Sequence, residues 1–83
     1  MAFRPVGSRL ASHLLRQREA LGTDTIPIGH TGALAETLGT SRQTLSTQIN
    51  RLIREGVVAR PDRRSLVLRD PERLTALSEV SAS

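Results

Sequence analysis

The chain has 83 residues, enough for one small domain but not for a deep catalytic cleft between domains. Its net charge is +4 and all twelve basic residues are arginine, which favours contact with phosphate and guanine over simple solubilisation. With no cysteine, one Phe and no Trp or Tyr, disulfides and thiolate metal sites are excluded and a stacking platform for single-stranded nucleic acid is disfavoured. No apolar run approaches the length of a membrane span, and we expect a cytoplasmic protein.

The first predicted helix runs from Pro5 to about Glu19. Its apolar residues recur at the spacing of one helix face and comprise Val6, Leu10, Leu14 and Leu15. His13 has no second ligand one turn away, so we interpret it as a partly exposed structural residue and predict no metal site. The arginine- and serine-bearing N-terminus also resembles an organelle transit peptide, but a small domain needs this helix to complete its core.

A short edge strand is predicted at residues 25–28, where apolar residues alternate with others around a proline. A second helix follows at about residues 32–38. Thr31 is the best chemical N-cap for it, because a threonine hydroxyl can accept a hydrogen bond from a first-turn amide. The amides at a helix start can also bind a DNA phosphate, and we predict such contacts at His30, Thr31 and Gly32.

Two amphipathic helices separated by one glycine form the centre of the sequence. Apolar residues recur at helical spacing on both sides of that glycine, at Leu34, Ala35 and Leu38 and then at Leu45, Ile49, Leu52 and Ile53. Gly39 can adopt a left-handed backbone conformation at low cost, and Ser41 can cap a new helix over residues 42–54. This order is typical of a helix-turn-helix.

The helix over residues 42–54 has a polar face opposite its apolar stripe. Groups that both donate and accept hydrogen bonds suit base edges in a DNA major groove. We therefore predict base contacts for Arg42, Gln43, Ser46, Thr47 and Asn50, and phosphate contacts for Ser41 and Arg54. The alternative is a solvated face on a bundle that binds nothing, because helix-turn-helix pairs also occur in such folds.

A β-hairpin, or wing, is predicted next, with strands at residues 57–59 and 65–68 and a turn at 60–64. Arg63 and Arg64 at its tip would lie beside the DNA backbone, so we predict phosphate contacts there; the alternative is an ordinary solvated turn. Residues 39–69 hold seven arginines against two carboxylates, a net charge of +5, so the positive charge lies with the reading helix and the wing.

The last predicted helix begins after Asp70, whose side chain can cap it, and has Pro71 in its first turn. Together the elements predict a mainly α-helical protein with a small antiparallel β wing. This is a winged helix-turn-helix, made of a three-helix core, a β-hairpin and a short C-terminal helix. We expect residues 1–83 to form a single domain, because no linker is long enough to separate two.

The run LGTSRQTLSTQINRLIREGVV, with RLASHLLRQ before it and RDPERLTALSE after it, resembles the C-terminal winged-helix domain of the Crp/Fnr transcription regulators. The resemblance covers about residues 5–79. Its most specific residues, in family order, are Gly39, Ser41, Arg42, Thr44, Ser46, Leu52, Glu55, Gly56 and 70–73. It implies a bacterial promoter-binding regulator that acts as a homodimer and places its reading helices in successive major grooves of a near-palindromic site.

By position, the resemblance makes Arg42 the family's guanine-contacting arginine and places Gln43 and Thr47 at its other two base-reading positions. Family members often have glutamate and arginine at these last two positions, so we do not expect this chain to read the family's commonest half-site. Family spacing also puts the cap of the second helix at His30 rather than Thr31.

The family's N-terminal sensor barrel and long dimerisation helix have no counterpart in these 83 residues. We therefore expect either an isolated output domain or a sensorless protein, and no cofactor in this chain, because an effector would bind the absent sensor. We expect a homodimer in any full-length form and a monomer or weak dimer for this domain alone. RNA polymerase is a further candidate partner, and a membrane is not.

The leading hypothesis is sequence-specific binding of double-stranded DNA in bacterial transcription regulation, with helix 42–54 in the major groove and the 60–65 wing on phosphates. The alternative is a winged-helix protein-interaction module without DNA binding, which would show little salt dependence. No carboxylate pair, histidine cluster or glycine-rich phosphate loop supports catalysis, so we predict no enzyme activity and no catalytic residue.

Overall fold

Four helices and a three-stranded antiparallel sheet make up the structure, a computed structural model that describes residues 5–79. The elements are α1 (Val6–Leu21), β1 (Thr25–Pro27), α2 (Thr31–Leu38), α3 (Arg42–Arg54), β2 (Val58–Asp62), β3 (Ser65–Leu68) and α4 (Pro71–Ser78). The predicted winged helix-turn-helix is confirmed. The predicted domain covers residues 1–83, of which 1–4 and 80–83 lie outside the described part. Among the described residues, no helix is both long and apolar enough to cross a membrane.

The apolar faces of the helices and of the sheet meet in one core. Its fully buried large side chains are Leu10, Leu14, Ile26, Leu45, Ile49, Val57, Val58, Leu66 and Leu74. Two apolar residues predicted for helix faces, Leu15 and Ile53, are half-buried against this core, as is Leu77 of α4. Burial of one leucine or isoleucine contributes about 1.5–3 kcal/mol, so the helix faces are fixed by what they bury.

The turn between α2 and α3 closes as predicted at Gly39, which has a φ of 70°. The Gly39 amide donates to the Glu36 carbonyl at 3.0 Å and the Thr40 amide donates to the Ala35 carbonyl at 2.9 Å, the two bonds of a Schellman motif. Arg9 of α1 donates through Nη1 to the Leu38 carbonyl at 2.6 Å. The first helix therefore satisfies a free carbonyl at the end of α2 and ties the turn to the core.

The wing differs from its prediction in the extent of the turn, because β2 continues to Asp62 and only residues 63–64 form the turn. The predicted turn at residues 60–64 was wrong. The register of β2 against β3 shifts between Ala59 and Asp62, so two residues of β2 face one of β3, as in a β-bulge. Pro61 stands in this bulge on an edge strand, where its missing N–H removes no ladder bond.

Helix α4 holds the far end of α3. Asp70 caps α4 as predicted, accepting a hydrogen bond from the Arg73 amide at 3.1 Å. The Arg73 guanidinium donates to the Glu55 carbonyl at 3.0 Å and to its Oε1 at 3.2 Å. Since Glu55 is the C-cap of α3, Arg73 satisfies the last turn of that helix while it pairs with the cap residue's carboxylate.

The left-handed glycines that end α1 and α2 differ in their surroundings. Gly39 and Gly22 have nearly the same φ, 70° and 68°, but only Gly39 has a close neighbour, since an added Cβ there would lie 3.2 Å from Arg9 Nη1. We expect Gly22→Ala to lower the free energy of unfolding by about 1 kcal/mol, the cost of a left-handed alanine. Gly39→Ala should cost clearly more in urea unfolding. Equal losses would contradict the assigned contact with Arg9.

His13 is half-buried on α1. Burial, with a smaller contribution from the Arg16 charge, lowers the pKa of His13 below its ordinary value of 6.5. As pH falls below about 6.5, the unfolded chain takes up a proton before the folded one, so stability decreases. Stability should therefore decline less between pH 7.5 and 5 in His13→Gln than in the wild type, measured by urea unfolding at each pH. Parallel declines would refute this pKa shift.

Candidate nucleic-acid interface

The two faces of α3 separate as the sequence predicts. Leu45 and Ile49 are 0% exposed and Leu52 is 4% exposed on the inner face. On the outer face, Arg42, Gln43, Thr47, Asn50 and Arg54 are exposed and Ser46 is half-buried. Because the apolar stripe is fixed in the core, the polar side chains lie together on the surface. The structure thus brings the five predicted base-contacting residues and Arg54 onto one helix.

The start of α3 is fixed by its own cap. The Ser41 Oγ accepts a hydrogen bond from the Thr44 amide at 3.1 Å and donates to the Thr44 Oγ1 at 2.9 Å. Ser41 is exposed, and its hydroxyl already holds the first turn of the helix. Ser41 therefore orients the residues that follow it, whatever contact it also makes with a ligand.

Thr47 shows which of its groups remain available to a ligand. Its hydroxyl donates to the Gln43 carbonyl one turn earlier at 3.0 Å. The proton is therefore used within the helix, whereas the oxygen lone pairs and the methyl group are not. An exposed threonine of this kind can accept a hydrogen bond or contact a thymine methyl group.

The first turn of α2 corrects one prediction. The N-cap is His30, with φ −84° and ψ 131°. The prediction of Thr31 as the cap was therefore wrong, because Thr31 is already the first helical residue. The His30 carbonyl accepts the Leu34 amide at 3.1 Å, but the His30 side chain makes no capping hydrogen bond. The helix start is thus not closed by a side chain of its N-cap, and its amides keep the partial positive charge that attracts anions.

Two shallow grooves meet at this helix start. One passes His30, Thr31 and Gly32 and reaches Arg42 at the start of α3. The other passes Gly29, His30 and Thr31 and is lined on its far side by the wing arginines 60, 63 and 64. The Ile28 amide donates to the Arg64 carbonyl at 2.7 Å, which joins the wing tip to the segment that leads into α2. The structure therefore places the α2 start between α3 and the wing.

Arg60 is a member of this surface that the site prediction omitted. Its guanidinium donates to the Arg63 carbonyl at 3.1 Å and more weakly to the Asp62 carbonyl at 3.4 Å. The Asp62 Oδ1 accepts the Arg64 amide at 2.7 Å and closes the same turn. Arg60 thus adds positive charge beside Arg63 and Arg64 and also holds the turn that presents them. Arg60 was predicted to lie in the turn rather than in β2, so the direction of its side chain could not be predicted.

The site arginines differ from several others in their ion pairing. Within residues 5–79, carboxylates pair with Arg18, at 2.6 Å from Asp24, and with Arg51 and Arg73, at 3.3 and 3.2 Å from Glu55. The predicted site arginines 42, 54, 63 and 64 take part in none of the ion pairs of this described part. Their charge is therefore available to an anionic partner, whereas the paired arginines have structural contacts.

No cluster of three or more metal-ligating His, Asp or Glu side chains lies within residues 5–79. His13 belongs to α1 and His30 precedes α2, so the two histidines are on different elements. The outer face of α3, the α2 start and the wing present mainly hydroxyls, amides and guanidinium groups, together with the His30 imidazole and the Glu36 carboxylate, which line the groove that reaches Arg42. This arrangement can donate many hydrogen bonds to a phosphate backbone or to base edges.

Solved structures of larger proteins contain a similar domain. The CO-dependent transcription factor CooA from Carboxydothermus hydrogenoformans is 29% identical with a TM-score of 0.80, over 88% of this chain and 36% of that one. The Thermus thermophilus catabolite activator protein is 29% identical with a TM-score of 0.76, and the match covers 88% of this chain and 33% of that one. FixK2 from Bradyrhizobium japonicum shares the fold, with 23% identity and a TM-score of 0.85. That match covers 95% of this chain and 41% of FixK2. The chain thus corresponds to about two fifths or less of each.

A comparison with curated proteins gave no match. The sequence does match the Crp-like helix-turn-helix domain over residues 8–77, which includes most of α1, every element from β1 to β3, and most of α4. This match confirms the family resemblance that the motifs around Gly39 and Asp70 indicate. The chain therefore belongs to the family of Crp-like helix-turn-helix domains.

Proposed function

We propose that this domain binds double-stranded DNA in a sequence-specific manner, as the output domain of a bacterial transcription regulator. The observation that carries the proposal is the continuous surface formed by the outer face of α3, the open start of α2 and the wing arginines. These three parts match the two needs of a DNA-binding domain, namely base recognition by one inserted helix and phosphate contacts on both sides of it.

In this proposal α3 lies in the major groove with its N-terminal end nearest the bases. Arg42 donates a bidentate pair of hydrogen bonds to the O6 and N7 of guanine. Gln43, Ser46, Thr47 and Asn50 contact neighbouring base edges with amide and hydroxyl groups, and Thr47 does so through its lone pairs or methyl group. The absence of a glutamate at 43 and an arginine at 47 gives this domain a half-site different from the family's commonest one.

Phosphate contacts position the domain on the duplex. The amides at the start of α2, at His30, Thr31 and Gly32, bind one phosphate with the help of the helix dipole. Arg63 and Arg64, together with Arg60, bind phosphates on the wing side, and Ser41 and Arg54 bind phosphates at the two ends of α3. These contacts raise affinity for every duplex and carry no sequence information of their own.

The partners beyond DNA follow from the family. We propose that a longer protein carrying this domain forms a homodimer, whose two copies bind half-sites about one helical turn apart. The domain alone is a monomer or weak dimer of modest affinity, because it lacks the avidity of two linked half-sites. We propose a cytoplasmic location, RNA polymerase as a further partner and no enzymatic activity; any effector belongs to a separate sensor domain.

A protein-interaction module is the competing function. It would use the same fold without DNA contact, and its binding would depend little on salt. The arginines of the wing and of α3 that remain outside the ion pairs of residues 5–79 favour DNA instead, since a protein partner does not require several unpaired guanidinium groups on one face.

Arg42→Ala tests base reading. The variant should lose about 1–3 kcal/mol on the preferred site and lose discrimination at one base pair, because one bidentate contact to guanine is removed. Relative binding over a randomised duplex library measures this directly. Arg51→Ala serves as the matched control, since Arg51 lies on the same helix but pairs with Glu55. A loss that is equal on all sequences would remove Arg42 from base recognition.

Arg63→Ala tests the wing. Its affinity should fall by a similar factor on every duplex, and the slope of log K against log salt should become shallower by about one unit, since one phosphate contact is lost. Arg18→Ala changes the net charge equally but removes an arginine in the last turn of α1 that pairs with Asp24, so its slope should stay near the wild-type value. Identical slopes for both variants would exclude a wing–phosphate contact.

A further inference from the structure

Gly32 is a helical glycine whose backbone does not require glycine. It is the second residue of α2, and its φ lies outside the left-handed region, unlike those of Gly22, Gly29, Gly39 and Gly56. Glycine in such a position destabilises a helix relative to alanine. The backbone conformation therefore does not require glycine at position 32, whereas the neighbours of this residue leave little room for a side chain.

The space at Gly32 is occupied by the guanidinium group of Arg42. A Cβ added to Gly32 would lie 3.3 Å from Arg42 Nη2, 3.4 Å from Nε and 3.7 Å from Cζ. Because both nitrogens are nearer than the carbon between them, the edge of the guanidinium that carries Nε and Nη2 faces Gly32. The planar group therefore directs Nη1 away from Gly32 and leaves its Nη1–Nη2 end for a bidentate contact.

This contact joins the two helices of the helix-turn-helix at the residue assigned to base reading. Arg42 has a long side chain with several rotatable bonds, and ordering such a side chain on binding lowers affinity. Contact with the α2 start restricts the guanidinium before DNA arrives. A flat surface without a side chain at position 32 is what allows the close approach.

We propose that Gly32 is a positioning residue for Arg42, and that the missing side chain at position 32 sets the base preference of this domain by holding the Arg42 guanidinium in its reading orientation. This inference rests on the proposed function, since it requires that Arg42 reads a base. This positioning role can be distinguished from a phosphate contact by the Gly32 amide, because that amide is still present when the residue is changed to alanine or valine.

The experiment compares Gly32→Ala and Gly32→Val with Arg42→Ala and with the double variant Gly32→Val/Arg42→Ala. The full 83-residue chain is used, and the probe is a randomised duplex library from which relative binding is obtained at every base pair. Gly7→Ala is the matched control, since Gly7 is also helical and its added Cβ would meet the flexible end of Gln48 at 3.0 Å, away from the proposed reading face. Thermal unfolding establishes that each variant is folded.

We expect Arg42→Ala to lose about tenfold or more of its discrimination at one base pair. Gly32→Val should lose at least about threefold at that same base pair and little elsewhere, and Gly32→Ala should lose less than Gly32→Val. In the Arg42→Ala background, Gly32→Val should change nothing further, which a double-mutant cycle detects as full coupling. Gly32→Ala should unfold at or above the wild-type temperature, and Gly7→Ala should keep the wild-type preference.

Two outcomes would overturn the inference alone. If Gly32→Val keeps full discrimination while Arg42→Ala loses it, then Arg42 reads its base without help from position 32. If Gly32→Val weakens every sequence equally, and does so also in the Arg42→Ala background, then Gly32 acts through the phosphate backbone. A library profile that Arg42→Ala leaves unchanged would instead overturn the base-reading role of Arg42 and, with it, this inference.

Discussion

The burial of one apolar stripe on α3 determines the surface of this domain. Leu45, Ile49 and Leu52 are almost completely removed from water, and a rotation of the helix would expose them at a cost of several kcal/mol. That cost keeps the opposite face, from Arg42 to Arg54, turned outward. The polar side chains of α3 are therefore presented at an angle that follows from the packing of the core.

The arginines add to this constraint because they have two separate roles. Arg9 and Arg73 satisfy carbonyl groups at the end of α2 and the end of α3, and so fix the two helices of the helix-turn-helix to α1 and α4. Other arginines, such as Arg42 and Arg63, take part in none of the ion pairs of residues 5–79. A sequence with one kind of cation can therefore both hold its turns and attract an anionic partner.

Sequence reasoning predicted the features that depend on local spacing. The bounds of α3, the left-handed Gly39 and the Asp70 cap all follow from short-range patterns and are confirmed. The prediction of Thr31 as the cap of α2, which was based on its side-chain chemistry, was wrong. The structure begins the helix one residue earlier, with His30 as the cap that family spacing indicates. The extension of β2 and the position of Arg60 depend on pairing with β3 across a bulge, which no local pattern contains. The assigned base and phosphate contacts stay predictions.

Interference by methylated bases tests the central claim, that the outer face of α3 enters the major groove, most directly. Guanine N7 faces the major groove and adenine N3 faces the minor groove. On a duplex selected by this domain, we expect N7 methylation at one or more guanines to abolish binding, because it occupies the acceptor that a helix side chain would use. Binding that N7 methylation never weakens, at any guanine of the selected site, would contradict the account.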